Sequence, residues 1–337
     1  MIYGNQSLLL YNTFHIAADC SYFSEIRSED EFIALQKEPL YQSNEKLIVG
    51  GGSNLLFTKD FNGLVIRNSI SGREVVKEDE QYVWVKAGAG EVWHDFVLWC
   101  IAHNYGGLEN LSLIPGRVGA SPMQNIGAYG VEIKDVFEEL EALDMKSGEK
   151  TVFTKEACEF GYRESVFKGK FKNKYLITSV TFKLSKHPVF NTTYGAIEKE
   201  LEVMGVKELS IKAISDAVIR IRSSKLPDPA EIGNAGSFFK NPEIPAVQYE
   251  KLKEEFPAVV AYPLANGNVK LAAGWLIEQA GWKGYRKGDA GVHKKQALVL
   301  VNYDKAKGNE IYALSTEVLE SVKAKFGVYL EREVNIC

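Results

Sequence analysis

Four stretches of the chain hold residues whose types and spacing suit chemistry. The longest runs from Ile114 to Gly130, with glycines at 116, 119, 127 and 130, prolines at 115 and 122, and Arg117. Gly and Pro both oppose a helix, and a proline without an N–H has no place in a central strand. The stretch is therefore read as an irregular loop that exposes backbone N–H and C=O groups. Its glycines let that backbone approach a ligand closely, and Ser121, Gln124 and Asn125 add polar tips. The second stretch is the turn Gly50, Gly51, Gly52, Ser53, Asn54. Successive N–H groups of a Gly-rich turn converge on an anion; a bare tight turn is the competing reading. It is not a Walker A loop, because no Gly-Lys-Ser/Thr follows, and it is not GxGxxG. The third is a compact Tyr162-Arg163 motif within 159–168, and the fourth is a glycine-flanked segment, 233–242, that carries Ser237, Lys240 and Asn241.

These stretches need elements to hold them. A strand at 46–50 leads into the glycine turn, and a second at 63–67 follows it. Ser28 has Glu31 three residues later, the spacing of a capping box, which predicts a helix over 28–37. A strand at 82–87 runs through Gly88 and Gly90 into a helix expected from Glu91 to about Asn104, with Val92, Phe96, Trp99, Cys100 and His103 on one face and Gly106-Gly107 as its end. Trp93 stands where a dinucleotide fingerprint needs its third glycine, so that fingerprint is rejected. His94 and His103 read as helix-surface or core-edge residues. Further strands are expected at 136–144, 151–153 and 174–184. The remaining expectations are helices at 215–225, 271–280 and 308–326, strands at 297–301 and 328–337, and no internal repeat.

The bulk properties narrow the class. At 337 residues two or three domains are expected, and 45% hydrophobic residues supply a sizeable core. A net charge of −4 argues against generic nucleic-acid binding. The cysteines at 20, 100, 158 and 337 form no CxxC and the five histidines no ligand spacing, which predicts reduced thiols and no metal site. The N-terminus lacks a basic n-region and no apolar run approaches the ~18 residues of a membrane span, so a cytoplasmic protein away from membranes is expected.

Six segments, at 50–57, 114–130, 161–168, 233–242, 272–278 and 293–302, stand in the order found in one family. Together they resemble UDP-N-acetylenolpyruvoylglucosamine reductases over almost the whole chain. The resemblance implies an α+β flavoprotein of three domains, two of them enclosing FAD in the fold of vanillyl-alcohol-oxidase-type proteins. The expected division is 1–69 together with the strand 328–337, then 70–209, then a substrate-binding domain at 210–327. Thr193-Tyr194-Gly195 resembles the tyrosine loop of the family's type I branch.

The implied reaction uses NADPH to reduce FAD, and reduced FAD to reduce the enolpyruvyl ether of UDP-N-acetylglucosamine, in peptidoglycan precursor synthesis. Hydride addition to an alkene that bears a carboxylate builds an enolate-like intermediate, which calls for a cation or acid and a proton donor. By motif position Arg163 grips the carboxylate, Ser237 donates the proton and Glu333 is the second acid. Glu331 competes with Glu333, because alternation puts both on one strand face. The substrate candidates are Tyr162, Tyr194, Lys225, Asn241, Tyr262 and Gln296. For FAD the candidates are Gly50, Gly51, Gly52, Ser53 and Asn54 at the pyrophosphate. Arg117, Gly119, Ser121, Gln124, Asn125 and Gly127 are expected around the flavin. The glycine loops hold no His or Cys, so non-covalent FAD is expected. A monomer is favoured. The competing readings are another flavin oxidoreductase on the same fold, such as an oxidase, and a flavin- or UDP-sugar-binding protein without catalysis.

Overall fold

The computed structural model describes residues 1–337. The chain forms two compact units, one of residues 1–6, 20–51 and 62–224, the other of residues 7–19, 52–61 and 225–337.

The first unit carries two sheets. In the four-stranded sheet the order is Ile2–Ser7, Asp19–Ile26, Phe61–Asn68, Lys46–Val49, and the last two strands run parallel. Leu64, Val65 and Ile66 are fully buried, as expected for a parallel-paired strand covered on both faces. The capped helix is Glu29–Gln36; the Ser28 hydroxyl accepts the Glu31 N–H at 3.1 Å, and Phe32 and Leu35 point into the core. The five-stranded sheet has the order Lys150–Thr154, Phe137–Asp144, Tyr175–Ser185, Tyr82–Gly88, Arg73–Glu78, and its pairs are antiparallel.

The helix expected over 91–104 is Trp93–Ala102, and it buries Trp93, Phe96, Val97, Cys100 and Ile101. The inward face is thus rotated from the expected one. Trp99 and His103 lie at its edge, with ring centroids 4.2 Å apart. Asn104, at φ 58, and not Gly106-Gly107, takes the left-handed position that ends the helix. Gly106 serves packing instead, since a Cβ there would lie 2.4 Å from Pro188. The helix expected from 215 begins at Ile211, because the Ser210 hydroxyl accepts the Ala213 N–H at 3.1 Å and caps it earlier.

The second unit is assembled from three chain segments. One sheet has the order Gly233–Ser237, Val299–Asn302, Ala290–Val292, Arg286–Lys287, and a second pairs Glu243–Pro245, Asn268–Leu271 and Ala261–Pro263. Strand pairing takes Leu271, so the helix expected over 271–280 shortens to Ala273–Gln279. The helix Gly308–Phe326 matches its expected bounds; Ile311, Leu314, Val318 and Val322 face inward, and Gly327 ends it at φ 65. The tail is not the continuous strand expected over 328–337. Only Asn335–Ile336 pairs, parallel to Leu55–Leu56, with a single bridge between Arg332 and Phe239. Arg332 is drawn off by the long helix: its guanidinium donates to the Ser315 hydroxyl at 2.8 Å and the Thr316 hydroxyl at 2.7 Å. No helix is long and apolar enough to cross a membrane.

Candidate functional site

In the first unit the loop 114–130 lies across the five-stranded sheet as a chain of short turns, including a 3₁₀ turn at Val118–Ala120. Its anchors are specific. Trp93 and Gly119 donate backbone N–H groups to Gly116 and Ala89 carbonyls, at 3.1 and 2.9 Å. Gly119 is required by packing, since a Cβ would fall 2.5 Å from that of Ala89. The Arg117 guanidinium donates to the Gly90 carbonyl at 2.8 Å, and burial holds its pKa below the usual arginine value.

The Tyr162-Arg163 turn is bound to this loop by three side chains. The Asn125 amide donates to the Gly161 carbonyl at 3.0 Å, the Ser165 hydroxyl to the Met123 carbonyl at 2.7 Å, and the Arg163 guanidinium to the Gly127 carbonyl at 2.6 Å. Arg163 sits at φ 54, a strained conformation for a side chain of its size. Its guanidinium lies 5.5 Å from the Tyr162 ring centre. Strain of this kind persists only where surrounding contacts hold it, and here the anchoring bonds do so.

Two expected flavin contacts turn inward. Asn125 is fully buried; its amide also meets Glu132 at 3.0 Å, and its carbonyl accepts the Lys134 N–H at 3.1 Å. With both ends of the amide spent on protein, its side chain shapes the loop and does not face a ligand. The Ser121 hydroxyl likewise donates to the Val118 carbonyl at 2.7 Å.

Beside the loop is a cavity of about 150 Å³, bounded by Gly50, Ala89, Arg117, Gly119, Phe171 and Tyr175, with Ile48, Met123 and Ile177 among its apolar walls. Apolar and aromatic walls with one guanidinium suit a flat aromatic cofactor that carries phosphates. Phe171 and Tyr175 escaped the sequence reading because they belong to an aromatic cluster with Phe153 that reads as ordinary core. Gly50 and Gly51 lie in this unit against Arg117 and Gly116. Gly52, Ser53 and Asn54 lie in the second unit. Gly52 has φ 63, and a Cβ there would overlap the Tyr11 carbonyl at 2.0 Å, so that glycine serves chain packing.

Arg222 was also missed. It donates to the Leu113 carbonyl at 3.2 Å and hydrogen-bonds the Tyr129 side chain. Burial, and Arg163 as a like-charged neighbour, push its pKa down. On sequence it is one of four basic residues on the helix Ile211–Lys225. Its position at the two ends of the glycine loop is a tertiary fact. Tyr194, in the same unit, is 46% exposed and meets the Tyr129 ring edge-on at 5.3 Å.

The second unit holds the other candidates. Ser237 is exposed and follows Gly236, whose φ of 69 supplies the turn. The flanking Phe238 and Phe239 are buried and fix the strand on either side of the tail: Phe238 donates its N–H to the Leu298 carbonyl at 2.7 Å and accepts the Glu333 N–H at 2.8 Å. Glu333 is therefore tied to the residue next to Ser237. Glu331 is exposed, and its carboxylate pairs with Lys240 at 2.6 Å. Asn241 and Gln296 are half-buried; the Asn241 side-chain oxygen accepts the Ala273 N–H at 2.9 Å, and the Gln296 side-chain oxygen accepts the Leu298 N–H at 3.3 Å. Tyr262 is 46% exposed on a strand, and Lys225 is exposed at its helix end.

Residues 21–153 match an FAD binding domain, which makes the protein a flavoprotein. Residues 228–337 match the UDP-N-acetylenolpyruvoylglucosamine reductase C-terminal domain. The chain is 52% identical over 337 residues to the UDP-N-acetylenolpyruvoylglucosamine reductase of Flavobacterium johnsoniae, covering 99% of each chain. It is 51% identical over 334 residues to that of Pseudomonas putida, covering 98% of this chain and 97% of the relative. A crystal structure of the reductase from Thermus caldophilus superposes with a TM-score of 0.66 at 24% identity, covering 100% of this chain and 98% of that one. The chain belongs to the UDP-N-acetylenolpyruvoylglucosamine reductase family.

Proposed function

We propose that the protein reduces the enolpyruvyl ether of UDP-N-acetylglucosamine to the muramate, with NADPH as the source of electrons, in peptidoglycan precursor synthesis. Bound FAD would pass hydride from NADPH to the alkene. The residues that would hold it are Gly50, Gly51, Arg117, Gly119, Gln124 and Gly127, with Phe171 and Tyr175 as apolar walls. Asn125 and Ser121 would keep the loop in shape.

The chain's own work falls on the substrate. Arg163, fixed by the Gly127 carbonyl, offers a permanent cation to the carboxylate on which negative charge builds. The Ser237 hydroxyl protonates the α-carbon, and Glu333 supplies the second acid. The bond from Glu333 to Phe238 favours it over Glu331, which is committed to Lys240. Tyr162, Tyr194, Lys225, Asn241, Tyr262 and Gln296 hold the sugar and diphosphate, as hydroxyl donors, amides and a point charge suit. Arg222 adds a second guanidinium near Arg163. The first unit would comprise the two FAD-binding subdomains, dividing near residue 70, and the second the substrate domain.

The single observation that carries this reading is the Arg163 turn, strained and bound to the cofactor loop by three side chains. The test is NADPH oxidation by the purified protein with and without the enolpyruvyl substrate. Oxidation that requires the substrate supports the reading. Oxidation with oxygen alone favours an oxidase, and colourless protein that FAD cannot reconstitute sinks it.

A further inference from the structure

Asn110 has no role in the chemistry above, and its type and neighbours gave it none in the sequence. It is 2% exposed, in the 3₁₀ turn Glu109–Leu111. Its amide nitrogen spends both donors on two different loops, giving one hydrogen to the Tyr129 carbonyl at 3.1 Å and the other to the Asn191 carbonyl at 2.9 Å. Tyr129 closes the cofactor loop, and Asn191 lies three residues before Tyr194. The same two loops meet twice more. The Asn191 amide donates to the Gly130 carbonyl at 3.2 Å, and the Tyr129 and Tyr194 rings stand edge to face. Thr193 donates to the Asn191 side chain at 3.0 Å, which fixes that amide's orientation.

The turn beneath Asn110 is firm. The Glu109 carboxylate accepts the Gly107 N–H at 2.6 Å, and the Trp93 indole, in the core, donates to the Leu111 carbonyl at 2.9 Å. Tyr194 itself is half exposed and caps the helix Gly195–Val203 without a side-chain bond to it. A side chain that must meet a ligand from an exposed loop needs its backbone held elsewhere. Asn110 does this with the two hydrogens of one amide nitrogen, on which two carbonyls converge.

We propose that Asn110 is a positioning residue for substrate binding: it latches the Tyr194 loop to the end of the cofactor loop and so presets Tyr194 for the diphosphate. The proposal rests on the reading of Tyr194 as a substrate residue. It implies that the cofactor loop and the substrate loop order together.

Asn110→Asp is the sharpest probe, since it keeps the shape and turns a double donor into an acceptor facing two carbonyls. Two measurements are made on the FAD-loaded protein: amide hydrogen exchange across 189–195, and the substrate KM. The expected result is about tenfold faster exchange in that segment and about a tenfold higher KM, within the range for a buried polar group whose bonds are lost. Flavin content and the rate of flavin reduction by NADPH stay within twofold. Asn191→Ala, which removes the Gly130 and Thr193 bonds but leaves both Asn110 bonds in place, moves both readouts the same way by less, and serves if the buried variant fails to fold. Unchanged exchange and KM in the folded variants would overturn the proposal, as would a loss of flavin with no change in KM. Tyr194→Phe separates the two ideas. If it leaves KM unchanged, the reading of Tyr194 fails and the latch with it. If it raises KM while Asn110→Asp does not, the latch alone fails.

Discussion

The candidate cofactor loop of the first unit and the candidate substrate residues of the second are built on opposite plans. Polar side chains in and beside the loop are spent on backbone: Asn125 and Ser121 bond the Gly161 and Val118 carbonyls, and Arg163 of the adjoining turn bonds the Gly127 carbonyl. Ser237, Lys225 and Tyr262 stand exposed on strand and helix ends, and Asn241 and Gln296 are half-buried, each with its side-chain oxygen on a backbone N–H. A resident cofactor rewards a bed made rigid in advance, because ordering is settled once at folding. A substrate that enters and leaves at each turnover needs groups that are reachable.

This contrast can be broken or sharpened by experiment. The largest effect belongs to the proposed proton donor: Ser237→Ala should leave flavin reduction by NADPH intact and slow flavin reoxidation by substrate by roughly 10²–10⁴-fold, the range for a general acid. Stopped-flow traces of the two half-reactions check it, and equal rates for both would remove Ser237 from the chemistry. Next is Arg163→Gln, expected to cost about 10²–10³ in the same half-reaction. Because Arg163 also braces the loop, measured flavin retention says how far the two roles overlap.

Asn125→Ala should act the other way. It strips a fully buried amide of its bonds to Gly161, Glu132 and Lys134, so stability should fall by about 1–3 kcal/mol with flavin released more readily. A denaturant titration that shows no change in midpoint would contradict the rigid bed.

The smallest effect is one of pH. Burial raises the pKa of Glu109, which caps the turn beneath the loop. A carboxyl raised in the folded state favours folding at low pH. That contribution is lost as pH climbs from the unfolded value of about 4.3 to the raised folded value. Glu109→Gln should therefore flatten the fall of Tm over that window, and an unchanged slope would show that Glu109 is not the group responsible.

How much of this was legible in the sequence depended on range. The helix Gly308–Phe326 and the cap at Ser28 were legible because their signals are local, a 3.6-residue apolar period and a hydroxyl three residues before an acid. The inward face of Trp93–Ala102 was not. Its choice of Trp93 over Trp99 depends on what lies opposite, namely Phe182, whose ring centre is 5.8 Å from that of Trp93. The site followed the same rule. Arg163 and Ser237 came from motifs, whereas Asn110, Arg222, Phe171 and Tyr175 gain meaning only from partners distant in the chain. The inward turn of Asn125 was hidden for the same reason: a polar residue in a glycine loop gives no local sign of which way it faces.

The three-segment make-up of the second unit has a consequence for how the chain is made. Asn12 ties the segment 8–16 into a closed turn, bonding the Leu8 and Ile16 carbonyls at 2.8 and 3.0 Å, and Phe14 packs edge-on against Phe238 at 6.1 Å. During synthesis Leu8 and Phe14 leave the ribosome more than 200 residues before Phe238 and the sheet around it. Pairings so distant in sequence form late, and apolar groups awaiting them invite aggregation. The nascent first unit must therefore mature with an unfinished apolar arm attached, and a chain arrested near residue 225 would carry that arm uncovered.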